Sequence, residues 1–132
     1  MSKIFKDIEF GNIKEQSVLP TLQQYFNDNT ICKLDKNNIF DFKGDNKYIE
    51  LKSRHNNLNK YPTTMVGYNK ILKASQLNED VYFFFSFDDY LTYWKYNPNN
   101  NFQIKSAGRR DRGRPEIKDY FFIPITDLIK VQ

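Results

Sequence analysis

Three features of the sequence predict a mixed α/β (α+β) fold. Residues 12 to 27, "NIKEQSVLPTLQQYFN", place Val18, Leu19, Leu22 and Phe26 in an apolar stripe at helical spacing. Three short strand-like runs follow, "TICKL", "IFDFK" and "KYIELKS", divided by the turn residues "DKNN" and "GDN". Residues 81 to 87, "VYFFFSF", are apolar on both faces, as in a central strand covered on both sides.

Within the first helix Pro20 either kinks the segment or marks its first turn, with Ser17 as the cap. After the third strand a polar loop, "RHNNLNKYP", leads to a second helix, capped by Thr63 or Thr64 and running to about Gln76. Asp88 and Asp89 end the central strand. "YLTYWKY" is a further strand, stopped by "NPNNN", and "FQIKS" is one more. A basic loop, "AGRRDRGRPEIKD", occupies roughly residues 106–118. "YFFIPI" is a last strand or edge segment, and "TDLIKV" a short closing helix. The order of helix, three strands, helix and strand predicts one mixed sheet flanked by helices. The 132 residues suit a single domain, 1–132.

Aromatic residues make up 17 % of the chain, so Phe and Tyr supply much of the core volume. The net charge of +4 suits a polyanionic partner, although a solvated basic surface gives the same count. The single cysteine, Cys32, excludes an internal disulfide; its apolar neighbours make it a small buried hydrophobe. The N-terminal "MSKIFKDIEF" lacks an apolar signal core, and "VYFFFSF" is too short to span a bilayer. The expectation is a soluble, cytoplasmic protein with no membrane partner.

The hairpin "IFDFKGDNKYIELKSR" carries the chemistry. With Asp45-Asn46 as a two-residue turn, Gly44 pairs with Lys47 and Phe42 with Ile49. The same register places Asp41 opposite Glu50, and directly opposed Cβ atoms lie about 4.5–5.5 Å apart. Alternation puts Phe40 and Phe42 on the apolar side, and Tyr48, Glu50 and Lys52 on the side opposite Ile49 and Leu51. Two carboxylates so placed repel unless positive charge lies between them. Lys52 supplies one charge and a divalent cation the rest. Oxygen ligands without His or Cys select a hard ion, Mg²⁺ or Mn²⁺. Such an ion polarises a phosphoryl oxygen and lowers the pKa of a bound water. Lys52 can orient that water or offset charge growing in the transition state. The reaction class is metal-assisted phosphodiester hydrolysis. The competing reading is a solvated sheet face on which Asp41 pairs with Lys43 or Lys52.

A bare Glu-x-Lys carries little information. Asp41, eight intervening residues and then Glu50-Leu51-Lys52, on paired strands after a helix, resembles the PD-(D/E)xK nuclease superfamily. The resemblance covers roughly residues 8 to 88, and Phe40 stands where the motif's proline would be. It implies a restriction-endonuclease-like core, metal binding by Asp41, Glu50 and the backbone carbonyl of Leu51, and a catalytic role for Lys52. Many members carry a further acid on the first helix, a place comparable to Glu15; Glu9 is the second choice. The small size and Asn/Lys-rich composition are similar to phage or viral members, junction-resolving endonucleases among them.

Glu15 also has an argument of its own. It lies three, four and seven residues before Val18, Leu19 and Leu22, on or beside the core-facing stripe, where a carboxylate needs a partner or a metal. If Pro20 instead starts the helix, Glu15 is an exposed loop residue. On the second helix Lys70 is a candidate phosphate contact, which the resemblance favours, and Gln76 a weaker one. Arg54 follows the active strand and is a candidate nucleic-acid contact. His55 beside it is the only histidine, which argues against a His-based metal site or a serine-type triad. Arg109, Arg110, Arg112 and Arg114 suit phosphate backbones, because guanidinium forks match phosphate oxygens. Tyr90, Tyr93, Trp94 and Tyr96 can stack on bases, but their strand pattern favours packing.

The reading is a Mg²⁺-dependent DNA endonuclease, acting on duplex or branched DNA, four-way junctions included. A homodimer is expected, since one site cuts one strand. The alternative from another class is a non-catalytic nucleic-acid-binding or virion-associated module on the same fold. An RNA endonuclease is a third option.

Overall fold

A computed structural model describes residues 3–109 and 116–132, with side chains from 13 to 107 and from 118 onward. The amphipathic stripe forms a long first helix, α1 (Lys3–Phe26), which passes through Pro20 rather than starting there. Proline lacks the N–H that would bond one turn back, so the helix tolerates one missing bond on its exposed side. Ser17 donates its hydroxyl to the Lys14 carbonyl at 2.9 Å, so it sits inside the helix and caps nothing. Asn27, with φ at 50°, turns the chain out of the helix.

Three strands follow, β1 (Cys32–Lys33), β2 (Phe42–Gly44) and β3 (Lys47–Ser53). β2 and β3 pair antiparallel in the predicted register, Phe42 with Ile49 and Gly44 with Lys47, around the Asp45-Asn46 turn. Cys32 lies on the outermost strand and is exposed; a two-residue edge strand has no layer above it to bury a side chain.

The stretch expected to open the second helix is instead a strand, β4 (Thr63–Gly67), and α2 (Tyr68–Ser75) begins only after it. Val66 is almost fully buried there, and Thr64 with it, so packing in a sheet overrides the capping signal of the two threonines. β5 (Asp80–Ser86) runs parallel to β3 over seven residue pairs, as the crossover through β4 and α2 permits. β6 (Leu91–Lys95) pairs antiparallel with β5. The two ends of the expected basic loop belong to strands, β7 (Gln103–Arg109) and β8 (Glu116–Pro124), which pair antiparallel; residues 110–115 between them lie outside the described residues. The closing segment is a 3-10 turn (Ile125–Asp127) and an edge strand, β9 (Ile129–Lys130), not a helix. Six residues are too few to nucleate a helix, and pairing with β6 satisfies their backbone instead.

The result is a mixed sheet in the order β1-β2-β3-β5-β6-β9 and a smaller antiparallel sheet in the order β4-β8-β7. Alternate residues of β3 and β5 feed two cores. Ile49, Leu51 and Phe84 pack with Val18 and Leu22 of α1. Phe83 and Phe85 pack with Ile71 and Ala74 of α2 and with Phe121 and Ile123 of the smaller sheet. Tyr93 and Trp94 belong to these cores: their rings stack on Phe84 and Phe83 at 5.0 and 5.7 Å, respectively. β5 is thus covered on both faces, as its composition predicts.

Candidate active site

Phe40 and Phe42 do not share a face. Phe40 joins the core under α2, and Phe42 the core under α1. The cause is local. The amide of Asp41 donates to the carbonyl of Ile49 at 3.0 Å, while Ile49 is already the ladder partner of Phe42. Two residues therefore oppose one, as in a β-bulge, and the strict alternation ends at Phe42. Asp41 is consequently not the ladder partner of Glu50, as the sequence reading had it. Its carboxylate turns toward β3 and accepts the N–H of Leu51 at 2.8 Å. That N–H lies where β2 has ended, so a side chain does the work of the missing strand. In an extended strand a residue's N–H and C=O point to the same edge, so the Leu51 carbonyl faces the same gap.

Glu50 lies on the α2 side of β3, only 1 % exposed. Two ammonium groups converge on its Oε2: Lys70 of α2 at 3.0 Å and Lys52 at 3.4 Å. Lys70 also donates to the Ile39 carbonyl, which ties α2 to the segment before the bulge. Among the described residues, Glu50 Oε1 is buried without a hydrogen-bond partner. Burial pushes the Glu50 carboxyl up to about 7; Lys52 opposes that shift, the Asp41 charge adds to it, and Lys70 opposes it.

Glu15 reaches the site from α1, so the helix is continuous where the site reading of this residue requires it. Burial, and then a hydrogen bond and charge from Asp41, push its carboxyl up to about 7, while Lys33 at 3.1 Å opposes the shift. Glu15, Asp41 and Lys70 line a cleft of about 710 Å³ together with Lys33, Lys36 and Asn38. Of the three cleft lysines, Lys33 and Lys36 were missed in the sequence, where they look like ordinary residues around a turn.

Arg54 takes a different course. Its Nε donates to Thr64 Oγ1 at 3.2 Å, a terminal nitrogen donates to the Met65 carbonyl, and the guanidinium lies over the Phe85 ring at 5.6 Å. It ties β3 to β4 and does not line the carboxylate cleft. The side chain of Arg109 and all of Arg110, Arg112 and Arg114 fall outside the described residues.

Among the described residues no three His, Cys, Asp or Glu side chains form a metal-binding cluster. The donors here are two carboxylates and a backbone carbonyl, all oxygen. The orphaned Oε1 of Glu50 beside Asp41 fits a hard divalent ion, which would give that atom the partner it lacks.

The architecture is a mixed α+β protein with a mixed central sheet, and its acidic and lysine side chains gather where one hairpin meets both helices. A family model described as "Phage putative PDDEXK endonuclease" matches residues 13–131. The chain belongs to this PD-(D/E)xK phage nuclease family. No curated protein and no solved structure matches the chain. No helix among the described residues is long and apolar enough to cross a membrane.

Proposed function

We propose that the protein is a Mg²⁺- or Mn²⁺-dependent DNA endonuclease that recognises branched DNA, with Asp41, Glu50 and the Leu51 carbonyl as the metal site. One observation carries this reading: a fully buried carboxylate keeps one oxygen on two lysines and the other on nothing. A purely structural ion pair is stable only when its remaining lone pairs are also satisfied. Among the described residues that oxygen has no partner, and a bare oxygen close to the Asp41 carboxylate is a vacant ligand position.

Bound there, the ion would polarise a phosphoryl oxygen and acidify a water. The chain's own groups supply the rest. Lys52, 41 % exposed, can swing from Glu50 Oε2 to the nucleophilic water or to a phosphate oxygen. Lys70, more buried, holds Glu50 in place and adds positive charge beside the scissile group. Glu15 can take a proton at the edge of the cleft, since its pKa stands near neutrality. Lys33 and Lys36 attract the DNA backbone to the cleft, and Arg109, Arg110, Arg112 and Arg114 are proposed as further phosphate contacts on the chemistry of their guanidinium groups alone. Two copies of the chain would cut the two strands of a branch as a homodimer.

The test is cleavage of supercoiled plasmid, linear duplex, flap and four-way junction with Mg²⁺ or Mn²⁺. Wild-type protein is expected to cut, and Lys52→Ala to lose at least roughly 100-fold in rate while keeping its fold. Equal behaviour of the two proteins would reject the catalytic reading.

A further inference from the structure

β3 continues past Lys52 into a second cavity. Its volume is about 350 Å³, and its walls include Arg54, Leu58, Tyr61, Met65, Phe87 and Phe122. Roughly 300–1,000 Å³ is the usual range for small-ligand pockets. The cavity lies at the carboxyl ends of the two parallel strands, because Arg54 follows β3 and Phe87 follows β5. The Arg54 amide still bonds the Ser86 carbonyl at 2.9 Å, so the chain is in register there. Arg54 therefore stands two strand residues beyond Lys52, roughly 6–7 Å along the same direction.

Two features say what such a cavity would hold. Its lining is aromatic and apolar, with Tyr61 55 % exposed beside it and Lys60 5.5 Å from the Tyr61 ring centre. Its polar wall is a desolvated guanidinium held by a hydroxyl and a backbone carbonyl, and among the described residues no carboxylate pairs with it. A half-buried cation with no carboxylate paired to it among the described residues favours a ligand that brings electron-rich acceptors. Flat aromatic walls favour a ligand with a π-face. Lysine near the exposed ring favours a phosphate close by. A nucleobase of a DNA strand offers all three.

We infer that this pocket takes one unstacked nucleobase next to the scissile phosphate, its face against Tyr61 and Phe122 and its carbonyl edge toward Arg54. The inference rests on the nuclease reading for its substrate. It gives a physical ground for preferring branched DNA, where a base at the branch is already partly unstacked and costs less to extrude.

The test uses full-length Lys52→Ala protein with Mg²⁺, which keeps the pocket, and four-way junction or flap DNA carrying 2-aminopurine at successive positions. One position is expected to brighten several-fold on binding. Tyr61→Ala, an exposed side chain whose loss leaves the core intact, is expected to abolish the rise and to weaken binding roughly 5- to 100-fold. An abasic site at that position should weaken binding by Lys52→Ala to the same extent and cost the doubly substituted protein nothing further. Cleavage by wild type with no fluorescence change at any position, and Tyr61→Ala binding like its parent, would overturn the pocket and leave the nuclease intact. A rise at one position without cleavage by wild type would keep the pocket and reject the nuclease. Absence of DNA binding would overturn both.

Discussion

At the scale of single residues, the decisive group is Glu50, because it is the charge the fold has most reason to neutralise. Its carboxyl titrates near 7 in the folded protein, against 4.5 for an ordinary glutamate. A raised folded-state pKa means that the folded state binds the proton more tightly. The corresponding stability is therefore fully present below about 4.5 and is lost as pH rises through about 7. Metal-free protein is thus expected to be about 2 to 3 kcal/mol less stable at pH 8 than at pH 5 through this carboxyl. Glu15 titrates in the same window and adds to the slope in the same direction. Asp28 does not interfere: Lys47, and then Thr30 and Asp45, hold its carboxyl well below the usual range, so its contribution is lost only at strongly acidic pH. Thermal melts in EDTA from pH 5 to 8 should show the decline, Glu50→Gln should remove roughly half of it and leave the share of Glu15, and excess Mg²⁺ should restore wild-type stability at pH 8. A flat profile for metal-free wild type would mean that Glu50 is ionised at no cost, and that its lysines suffice without a metal.

At the scale of elements, the hairpin of β2 and β3 is the part that must not move. Its turn is pinned from the end of α1 by Asp28, which accepts from Lys47 Nζ at 2.7 Å and from the Asp45 amide at 3.0 Å. Gly44 permits this approach: a Cβ there would stand 2.7 Å from both Asp28 Oδ2 and Ile31 Cγ1. The carboxylate cannot retreat, since Thr30 also donates to it through its amide and hydroxyl. Gly44→Ala is therefore expected to cost about 1–3 kcal/mol, read as a lower denaturant midpoint at unchanged slope. It should also lower nuclease activity, by shifting β2 against β3. The hairpin register was legible in the sequence because a turn pair and two alternating runs leave one consistent pairing. The bulge at Asp41 was not, since an extra residue opposite Ile49 leaves no mark on the pattern of apolar letters. Its effect was to send Phe40 and Phe42 to opposite cores and to bring Asp41 to the Leu51 amide rather than directly across from Glu50. β4 was misread because Thr63 and Thr64 are good caps, and only the tertiary burial of Thr64 and Val66 decides for a strand. Lys33 and Lys36 could not be assigned to the cleft, because the path of the chain from β1 to β2 brings them there and their spacing does not.

At the scale of the whole molecule, the candidate site belongs to no single layer. Glu15 comes from one helix, Asp41, Glu50 and Lys52 from the hairpin between the layers, and Lys70 from the other helix. The arrangement exists only when both cores are formed, so assembly of the site reports on the folding of the whole domain. The net charge of +4 is small, and affinity for DNA then depends on where the cations stand more than on their number. Lys36 gives the cleanest measurement. It is exposed, it lines the cleft, and it lies outside the cluster of carboxylates and lysines around Glu50. If it contacts a phosphate, neutralising it removes about one counterion-release event, so the slope of log K against log salt should shrink by about 0.9. Binding of Lys36→Ala to junction DNA should weaken more at low salt than at high salt, because the contribution lost is the one that salt screens. The rate for fully bound DNA should change little, since Lys36 is not among the side chains that reach Glu50. A parallel pair of salt plots, offset but equal in slope, would show that the cleft is not the path by which the backbone enters.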